Sequence, residues 1–197
     1  MAPDASAGMS ARLRDQLRFL RSWVASPLKT GAVAPSGPHL TRAMAAAMDP
    51  AVPGPVIELG PGTGVVTRAL IERGVDEARI VAIEYNPDFA ALLRERFPRA
   101  RIVTGDAYAI GTTLAGTLAE PAAAVVSSLP LFTESQEKRI SLVGAAFDLM
   151  RPGVPFVQFS YALVSPVPDR VAGMRIKTSP WIWRNVPPAR VWTYYRD

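Results

Sequence analysis

The segment Val56–Val65 constrains the fold of this chain more than any other. Four strand-forming residues with one acid among them are followed by glycines at alternate positions, Gly60, Gly62 and Gly64, where a helical pattern begins. Glycine lets the backbone turn sharply and approach a ligand closely, and a helix start offers free N–H groups. The spacing G-x-G-x-G differs from the G-x-G-x-x-G that cradles a pyrophosphate. The segment therefore indicates a strand–turn–helix unit that binds a ligand without phosphates.

Strand and helix patterns alternate from this segment onward. Strands are predicted over 56–59, 80–84, 102–104, 123–127 and 156–163, with a terminal antiparallel pair over 174–183 and 190–195. Helices are predicted over 10–26, 39–48, 64–72 and 88–97, residues 107–118 are mixed, and a capping box Thr133-x-x-Gln136 opens a last helix. Short apolar strands that alternate with helices predict an α/β fold whose parallel sheet is covered on both faces.

Three predicted strands end in or next to an acidic residue, at Glu58, Glu84 and Asp106. In open α/β sheets, ligands bind outside the carboxyl ends of the strands. Glu58 is predicted to lie by a cationic group such as an amino acid ammonium, Glu84 to accept both hydroxyls of a ribose, and Asp106 to accept from the amine of an adenine. Together the three acids predict a site for a phosphate-free ligand made of amino acid, ribose and adenine.

These residues resemble the first three motifs of the class I S-adenosylmethionine-dependent methyltransferases. The resemblance implies a Rossmann-like, seven-stranded, mostly parallel sheet with an antiparallel last strand, and S-adenosylmethionine as cofactor. It implies no metal; the chain has no cysteine and one histidine. The residues expected to bind the cofactor are Thr30, Gly31, Glu58, Gly60, Gly62, Gly64, Glu84, Tyr85, Asp106, Ala107 and Ser127.

The N-terminal segment is predicted to form a basic amphipathic helix. Its leucines, Phe19 and Trp23 share one apolar arc, and Arg14, Arg18 and Arg21 flank that arc. Such a helix is typical of a membrane interface, although an ordinary helix packed on the sheet has the same pattern. Residues 1–30 and 151–197 are both basic while residues 31–150 are acidic, and basic ends suit an anionic partner, either nucleic acid or an anionic membrane surface. Residues 1–38 are therefore predicted to be a membrane-binding helix with its linker, and 39–197 the methyltransferase domain.

The fourth predicted strand ends in Ser127-Ser128-Leu129-Pro130-Leu131, where the superfamily faces the transferred methyl group. With the N-terminal helix, the segment Lys29–Ser36 and Val56–Gly64, this motif resembles the bacterial phospholipid N-methyltransferases. The resemblance implies stepwise methylation of phosphatidylethanolamine to phosphatidylcholine, an anionic membrane surface as partner, and a cytoplasmic enzyme peripheral to the inner face of the membrane. Nucleic acid is not expected as a partner. The number of transfers stays open.

The sequence constrains the residues that assist the methyl transfer less than those that bind the cofactor. A protonated amine must lose its proton before it attacks a methyl group, and His39, Tyr108, Tyr161 or water are the candidate bases. The carbonyls of Ser127 and Ser128 are expected to accept from the amine and orient it.

Two further groups of residues have open interpretations. Lys29 is expected either to hold a lipid phosphate or the cofactor carboxylate or to be plainly solvated. Three tryptophans near the carboxyl end lie among basic residues and either touch headgroups or, for at least two of them, pack in the terminal strand pair. They are Trp181, Trp183 and Trp192, with Arg175, Lys177 and Arg184.

Two other functional classes remain open at this stage. The ribosomal RNA adenine dimethyltransferases carry Asn-Leu/Ile-Pro-aromatic at the fourth strand's end, whereas this chain has Ser128 in place of the asparagine and Leu131 in place of the aromatic ring. A noncatalytic protein that kept the fold is disfavoured by the intact acids at the three motifs.

Overall fold

A computed structural model describes residues 37–168 and 173–196, which belong to the compact unit Ser36–Asp197. Within these residues, seven strands form one sheet in the order β3-β2-β1-β4-β5-β7-β6. The strands are β1 Val56–Leu59, β2 Ile80–Glu84, β3 Arg101–Thr104, β4 Ala124–Ser127, β5 Phe156–Ser160, β6 Met174–Thr178 and β7 Arg190–Arg196. The helices are α1 Pro38–Ala46, α2 Val65–Glu72, α3 Pro87–Arg96, α4 Ile110–Thr113 and α5 Gln136–Asp148.

Strands β1 to β5 run parallel, and β7 is antiparallel to both of its neighbours. The predicted α/β fold with an antiparallel last strand is therefore confirmed. The order reverses at β1, which pairs with β2 on one side and with β4 on the other. Open parallel sheets bind ligands at such a reversal, outside the carboxyl ends of the strands, which we call the carboxyl edge.

The core explains why the central strands read as continuous apolar runs. Every residue of β1, β2, β4 and β5 is buried, as expected for strands covered on both faces. Tyr194 of β7 is fully buried and packs edge-on against Phe156 at 6.1 Å between ring centroids. Its hydroxyl and the Ser165 hydroxyl share a hydrogen bond of 2.8 Å, so the polar atom of this core residue is satisfied.

Two predicted strands are shorter in the structure. β5 ends at Ser160 rather than at residue 163, because the Ser160 hydroxyl accepts from the Ala162 N–H at 2.9 Å and turns the chain. β6 ends at Thr178 rather than at residue 183, since Pro180, which has no N–H to donate, soon follows. The predicted antiparallel pairing of the last two strands is confirmed.

The predicted capping box at Thr133 is wrong. Thr133 ends a short 3-10 helix, Leu131–Thr133, and its hydroxyl donates to the Pro130 carbonyl at 2.7 Å. The N-cap of α5 is Ser135, whose hydroxyl accepts from the Lys138 N–H at 3.3 Å. Both residues are hydroxyl-bearing and lie two positions apart, so the motif alone does not decide between them.

The predicted helix over 10–26 lies outside the described residues, as do Thr30, Gly31, and the residues expected to bind the membrane, Arg14, Arg18, Phe19, Arg21 and Trp23. In the part of the chain that the structure describes, no helix has both the length and the hydropathy needed to cross a bilayer.

Candidate cofactor and methyl-transfer site

The glycine turn after β1 has the backbone that its sequence predicts. Gly60, Gly62 and Gly64 have φ values of 66°, 56° and 79°, in the left-handed region that side chains rarely adopt. A Cβ on Gly64 would clash with the Phe97 ring and would lie 2.8 Å from a Leu93 methyl group, so this glycine lets α2 approach α3. A Cβ on Gly62 would meet no atom within 4 Å, so this residue faces open space.

Glu84, the last residue of β2, fastens this turn to the neighbouring strand. One carboxylate oxygen accepts from the Gly62 N–H at 3.0 Å and the other accepts from the Asn86 N–H at 2.9 Å. The side chain is only 6% exposed. Each oxygen keeps a further lone pair, which leaves the carboxylate able to accept two more hydrogen bonds from a ligand.

A cavity of about 330 Å³ opens beside Glu84 at the carboxyl edge. The structure brings six of the predicted site residues together around it: Gly60, Glu84, Tyr85, Asp106, Ala107 and Tyr108. The other lining residues are Ile83, Leu129, Glu134 and Lys138. These side chains come from the ends of four adjacent strands and from the start of α5, as the topology requires.

Two further polar residues, Tyr85 and Asp106, line the cavity with Glu84. Tyr85 is 79% exposed, so its ring has a free face at the cavity. The Asp106 carboxylate accepts from the Tyr108 N–H at 2.8 Å and stays exposed to the cavity. The Tyr85 ring and the Asp106 carboxylate, beside Glu84 as an acceptor for two hydroxyls, suit a nucleoside.

Glu58 was predicted to lie by the ligand, but it does not line the cavity. It is fully buried, and one of its oxygens accepts from the Thr67 hydroxyl of α2 at 2.7 Å. Burial raises the pKa of Glu58 from its ordinary 4.5 to about 7, against the opposing effect of the Thr67 hydrogen bonds. Its other oxygen is buried without a partner among the described residues. In this structure Glu58 joins β1 to α2 behind the glycine turn.

Glu134 and Lys138 line the cavity although the sequence analysis did not select them. They form an ion pair of 3.0 Å, and the Lys138 ammonium lies 4.4 Å from the centre of the Tyr108 ring. The position of these two residues at the cavity could have been predicted, because a helix that follows a parallel strand begins at the carboxyl edge. A cap at Thr133 rather than at Ser135 shifts the predicted first turn of this helix by two residues.

Tyr108 is poorly suited to act as a base. Burial, with the nearby carboxylates of Glu134 and Asp106, raises the pKa of its hydroxyl to about 12. A phenol with this pKa stays protonated at neutral pH and can serve as a hydrogen-bond donor. Burial also raises the pKa of Tyr161. His39 is the second residue of α1, as its predicted position at a helix start implies, and does not line the cavity.

The end of β4 carries the segment expected to face the methyl group. The Ser127 hydroxyl accepts from the Leu129 N–H at 3.3 Å, and the Ser128 N–H donates to the Leu59 carbonyl at 2.9 Å. The Ser128 hydroxyl is buried without a partner among the described residues. The turn is thus held to both β1 and β4 while one polar group stays available.

Gln158 of β5 is a second residue that the sequence analysis missed. Its amide nitrogen donates to the Leu129 carbonyl at 3.1 Å and to the Phe159 carbonyl at 2.8 Å, and its amide oxygen has no partner among the described residues. The side chain is 1% exposed. No local motif marks this glutamine; only the pairing of β4 with β5 brings it to the Ser127–Leu131 segment.

A mostly parallel sheet with a cavity suited to a nucleoside, at the point where the strand order reverses, defines the class of this protein. Comparisons with known proteins agree with that class. Residues 56–153 match the family model described as a methyltransferase domain. An ornithine lipid N-methyltransferase of Singulisphaera acidiphila is 32% identical over 151 residues, which cover 75% of this chain and 79% of that protein. The chain belongs to the class I S-adenosylmethionine-dependent methyltransferases, and S-adenosylmethionine is its cofactor.

One further relative and one protein of known structure extend these comparisons. A ribosomal RNA small subunit methyltransferase A of Kineococcus radiotolerans is 33% identical over 148 residues, but the chain spans only 47% of its length. The glycopeptide N-methyltransferase MtfA has the same fold, with a TM-score of 0.59 and 17% identity over 83% of this chain and 97% of that one. MtfA has also been solved with S-adenosylmethionine bound, at a TM-score of 0.51 and 22% identity over 82% of this chain and 66% of that one.

The residues at the cavity fit this cofactor. Glu84 retains acceptor capacity for the two ribose hydroxyls, the exposed Asp106 carboxylate can accept from the adenine amine, and open space in front of Gly62 admits a close ligand. Lys138 and Glu134 neutralise each other, so they add no net charge to a cavity that must take a ligand of mixed charge.

Proposed function

We propose that this methyltransferase acts on the amine of a membrane lipid headgroup, with phosphatidylethanolamine and its mono- and dimethyl products as substrates and phosphatidylcholine as the end product. The observation that carries the proposal is the relative in Singulisphaera acidiphila, whose name specifies an ornithine lipid and of which the chain covers 79%. Ornithine lipid and phosphatidylethanolamine both offer a primary amine at a membrane surface. The family resemblance in the sequence favours the second.

The site supports transfer to a small amine rather than to a stacked base. Leu131, at the position where RNA adenine enzymes carry an aromatic ring, is aliphatic and only 2% exposed. An aliphatic side chain in the core offers a purine no stacking surface. The unpartnered Ser128 hydroxyl and Gln158 amide oxygen lie in the same region and suit an amine that needs acceptors.

The bound cofactor supplies an electrophilic methyl group on a sulfonium, and the amine must attack it as a neutral lone pair. In this proposal, Glu84, Tyr85, Asp106 and Ala107 hold the nucleoside, and the carbonyls of Ser127 and Ser128 orient the amine. Orientation within ~3–3.5 Å of the reacting carbon can remove several kcal/mol from the barrier. Because Tyr108 stays protonated at neutral pH and His39 does not line the cavity, we assign the proton to water.

An RNA amino-methyltransferase is the second candidate, because several relatives are ribosomal RNA small subunit methyltransferases A, one of them 48% identical over 54 residues. That match spans 18% of the relative's length. Shared residues over so short a stretch support a common cofactor site more than a common substrate.

The membrane part of the proposal concerns residues that the structure does not describe. We propose that Arg14, Arg18, Phe19, Arg21 and Trp23 bind an anionic membrane surface and keep the enzyme peripheral to the inner face of the cytoplasmic membrane. The basic charge of residues 1–30 supports this role.

The substrate is tested by offering several acceptors to the purified full chain with methyl-labelled S-adenosylmethionine. The acceptors are phosphatidylethanolamine vesicles, phosphatidylethanolamine in detergent micelles, ornithine lipid and small-subunit ribosomal RNA. We expect label in both forms of phosphatidylethanolamine. Label in ornithine lipid alone would correct the headgroup, and label in RNA alone would overturn the lipid proposal.

A further inference from the structure

The connection between β6 and β7, residues 179–189, exposes large apolar side chains; we call it the tryptophan loop. Trp183 is 72% exposed and Val186 is 86% exposed. Trp183 leans on Trp181, with ring centroids 5.9 Å apart and ring planes at 38°. Trp192, by contrast, is 7% exposed and packs in the sheet. Two large exposed apolar side chains on one short loop, one of them packed against a second tryptophan, suit an interaction surface.

Hydrogen bonds hold the backbone of the tryptophan loop in place, so the fold itself exposes these side chains. Asn185 is 2% exposed; its amide nitrogen donates to the Pro187 carbonyl at 2.8 Å and its oxygen accepts from the Gly37 N–H at 2.9 Å. The Ile182 N–H donates to the Ala189 carbonyl at 2.8 Å and closes the loop. Trp183 and Val186 flank the buried Asn185 on either side, so they are presented outward by a fixed backbone.

The loop carries no acidic residue; Arg184 lies within it and Arg190 follows it at the start of β7. Arg175 and Arg196 lie at the other end of the β6–β7 pair, where Arg196 forms an ion pair of 2.8 Å with Asp148. Arg184 is exposed directly beside Trp183. The Arg190 guanidinium lies 5.3 Å from the centre of the Trp181 ring and 5.5 Å from that of Trp192, and so braces the base of the loop.

Strand direction places the tryptophan loop at the same edge of the sheet as the cofactor cavity. β7 is antiparallel to β5, and Ser160 at the end of β5 pairs with Arg190 at the start of β7. Thr178 at the end of β6 pairs with Trp192. The loop between β6 and β7 therefore lies at the carboxyl edge, where Glu84, Asp106 and Ser127 end their strands.

We propose that the tryptophan loop is a docking surface for an anionic lipid bilayer, with Trp183 and Val186 entering the interface and Arg184 contacting anionic headgroups. Tryptophan beside an aliphatic residue and arginine suits the boundary between headgroups and acyl chains. Docking at the carboxyl edge would turn the cavity toward the lipid that carries the amine. The inference rests on the proposed lipid substrate, and it adds a contact separate from residues 10–26.

The test is flotation of the full chain with vesicles of phosphatidylcholine, with and without phosphatidylglycerol, in the absence of cofactor. We expect Trp183→Ala/Val186→Ala to weaken binding about tenfold or more, because two apolar side chains lose their burial. Trp183→Phe is expected to retain most of the binding. Arg184→Gln should weaken binding several-fold only where phosphatidylglycerol is present. Arg73→Gln, an exposed arginine at the far end of α2, is the matched control and should bind as the parent does.

The same variants are made in a Phe19→Ala/Trp23→Ala background, so that the N-terminal segment cannot mask the loop. Native thermal unfolding and unchanged cofactor affinity establish that each variant is folded. The proposal is overturned if Trp183→Ala/Val186→Ala floats like its parent in both backgrounds, as it would if residues 1–36 cover the loop. A parent that does not float on anionic vesicles, or a variant that loses RNA binding instead, overturns it as well. Flotation needs no methyl transfer, so a failed substrate proposal leaves this result readable.

Discussion

Glu84 performs two tasks at one position, because it holds the Gly62 and Asn86 amides and still faces the cavity. Its position at the end of a strand was predictable from the apolar run Ile80–Ile83 that precedes it, and so was its use as an acceptor. Glu58 is also a glutamate near the end of a strand, but its side chain is fully buried against Thr67. Sequence position identifies an acid at a strand end, but the packing of α2 decides whether solvent reaches it.

Gly62 offers a matched test of the cofactor turn. Gly62→Ala and Gly116→Ala both place a methyl group at a left-handed backbone position, with φ of 56° and 67°, where no atom lies within 4 Å. Each should lower the free energy of unfolding by about 1–2 kcal/mol through backbone strain. Only Gly62→Ala should weaken S-adenosylmethionine binding, by about tenfold or more, because close approach of the ligand needs a bare backbone. Calorimetric titration measures the affinities, and equal affinities would show that this turn does not touch the cofactor.

Glu58 predicts a dependence of stability on pH. Its pKa of about 7 in the folded protein exceeds its ordinary 4.5, so between these values the folded chain holds a proton that the unfolded chain releases. The free energy of unfolding therefore falls as pH rises through this window, by at most about 3 kcal/mol. Glu58→Gln removes this loss. The free energy of unfolding of the variant, relative to that of the parent, should therefore rise from about pH 5 to about pH 8.

Urea denaturation at the two pH values measures the effect of Glu58→Gln. Glu95→Gln, which removes an exposed carboxylate of α3, is the control and should differ from the parent equally at both. Parallel pH curves for the parent and Glu58→Gln would contradict the assigned titration.

At the scale of elements, the start of α5 forms one wall of the cavity through Glu134 and Lys138. The proposed capping box at Thr133 predicted the presence of this helix, and strands β1 and β2 were predicted with the bounds that the structure has. The cap was not predictable from spacing, because Thr133 and Ser135 both carry hydroxyls that can cap. Contacts across the sheet, such as that of Gln158 with Leu129, were equally beyond the sequence, since they depend on register.

Ser135→Ala tests the assigned cap. The loss of the acceptor for the Lys138 N–H should lower the free energy of unfolding by about 1 kcal/mol. Thr133→Val removes a hydroxyl of similar exposure that bonds the Pro130 carbonyl, and it should cost less because water can replace that bond. Urea denaturation of the two variants gives the comparison. A larger loss for Thr133→Val would restore Thr133 as the residue that controls the helix start.

At the scale of the whole molecule, the fold brings the cofactor residues and the tryptophan loop to one edge of one sheet. The residue pattern alone predicted the parallel sheet and six residues of the cavity lining, because these depend on local pattern and on strand ends, whereas the antiparallel last strand was implied by the resemblance to the methyltransferases. It could not separate Trp183, which is exposed, from Trp192, which is buried, since that difference arises from pairing among β5, β6 and β7. The basic charge of residues 173–196 agrees with the proposed contact between the tryptophan loop and an anionic surface.

The central claim, methyl transfer to a lipid amine, is tested most directly in living membranes. The full chain is expressed in a bacterium whose membranes contain phosphatidylethanolamine but no phosphatidylcholine, and the extracted lipids are analysed by mass spectrometry. Glu84→Ala, expressed to the same level, serves as the control that lacks the ribose acceptor. We expect mono-, di- or trimethylated phosphatidylethanolamine with the parent and none with Glu84→Ala. An unchanged lipid profile from cells whose purified protein binds S-adenosylmethionine would contradict this claim.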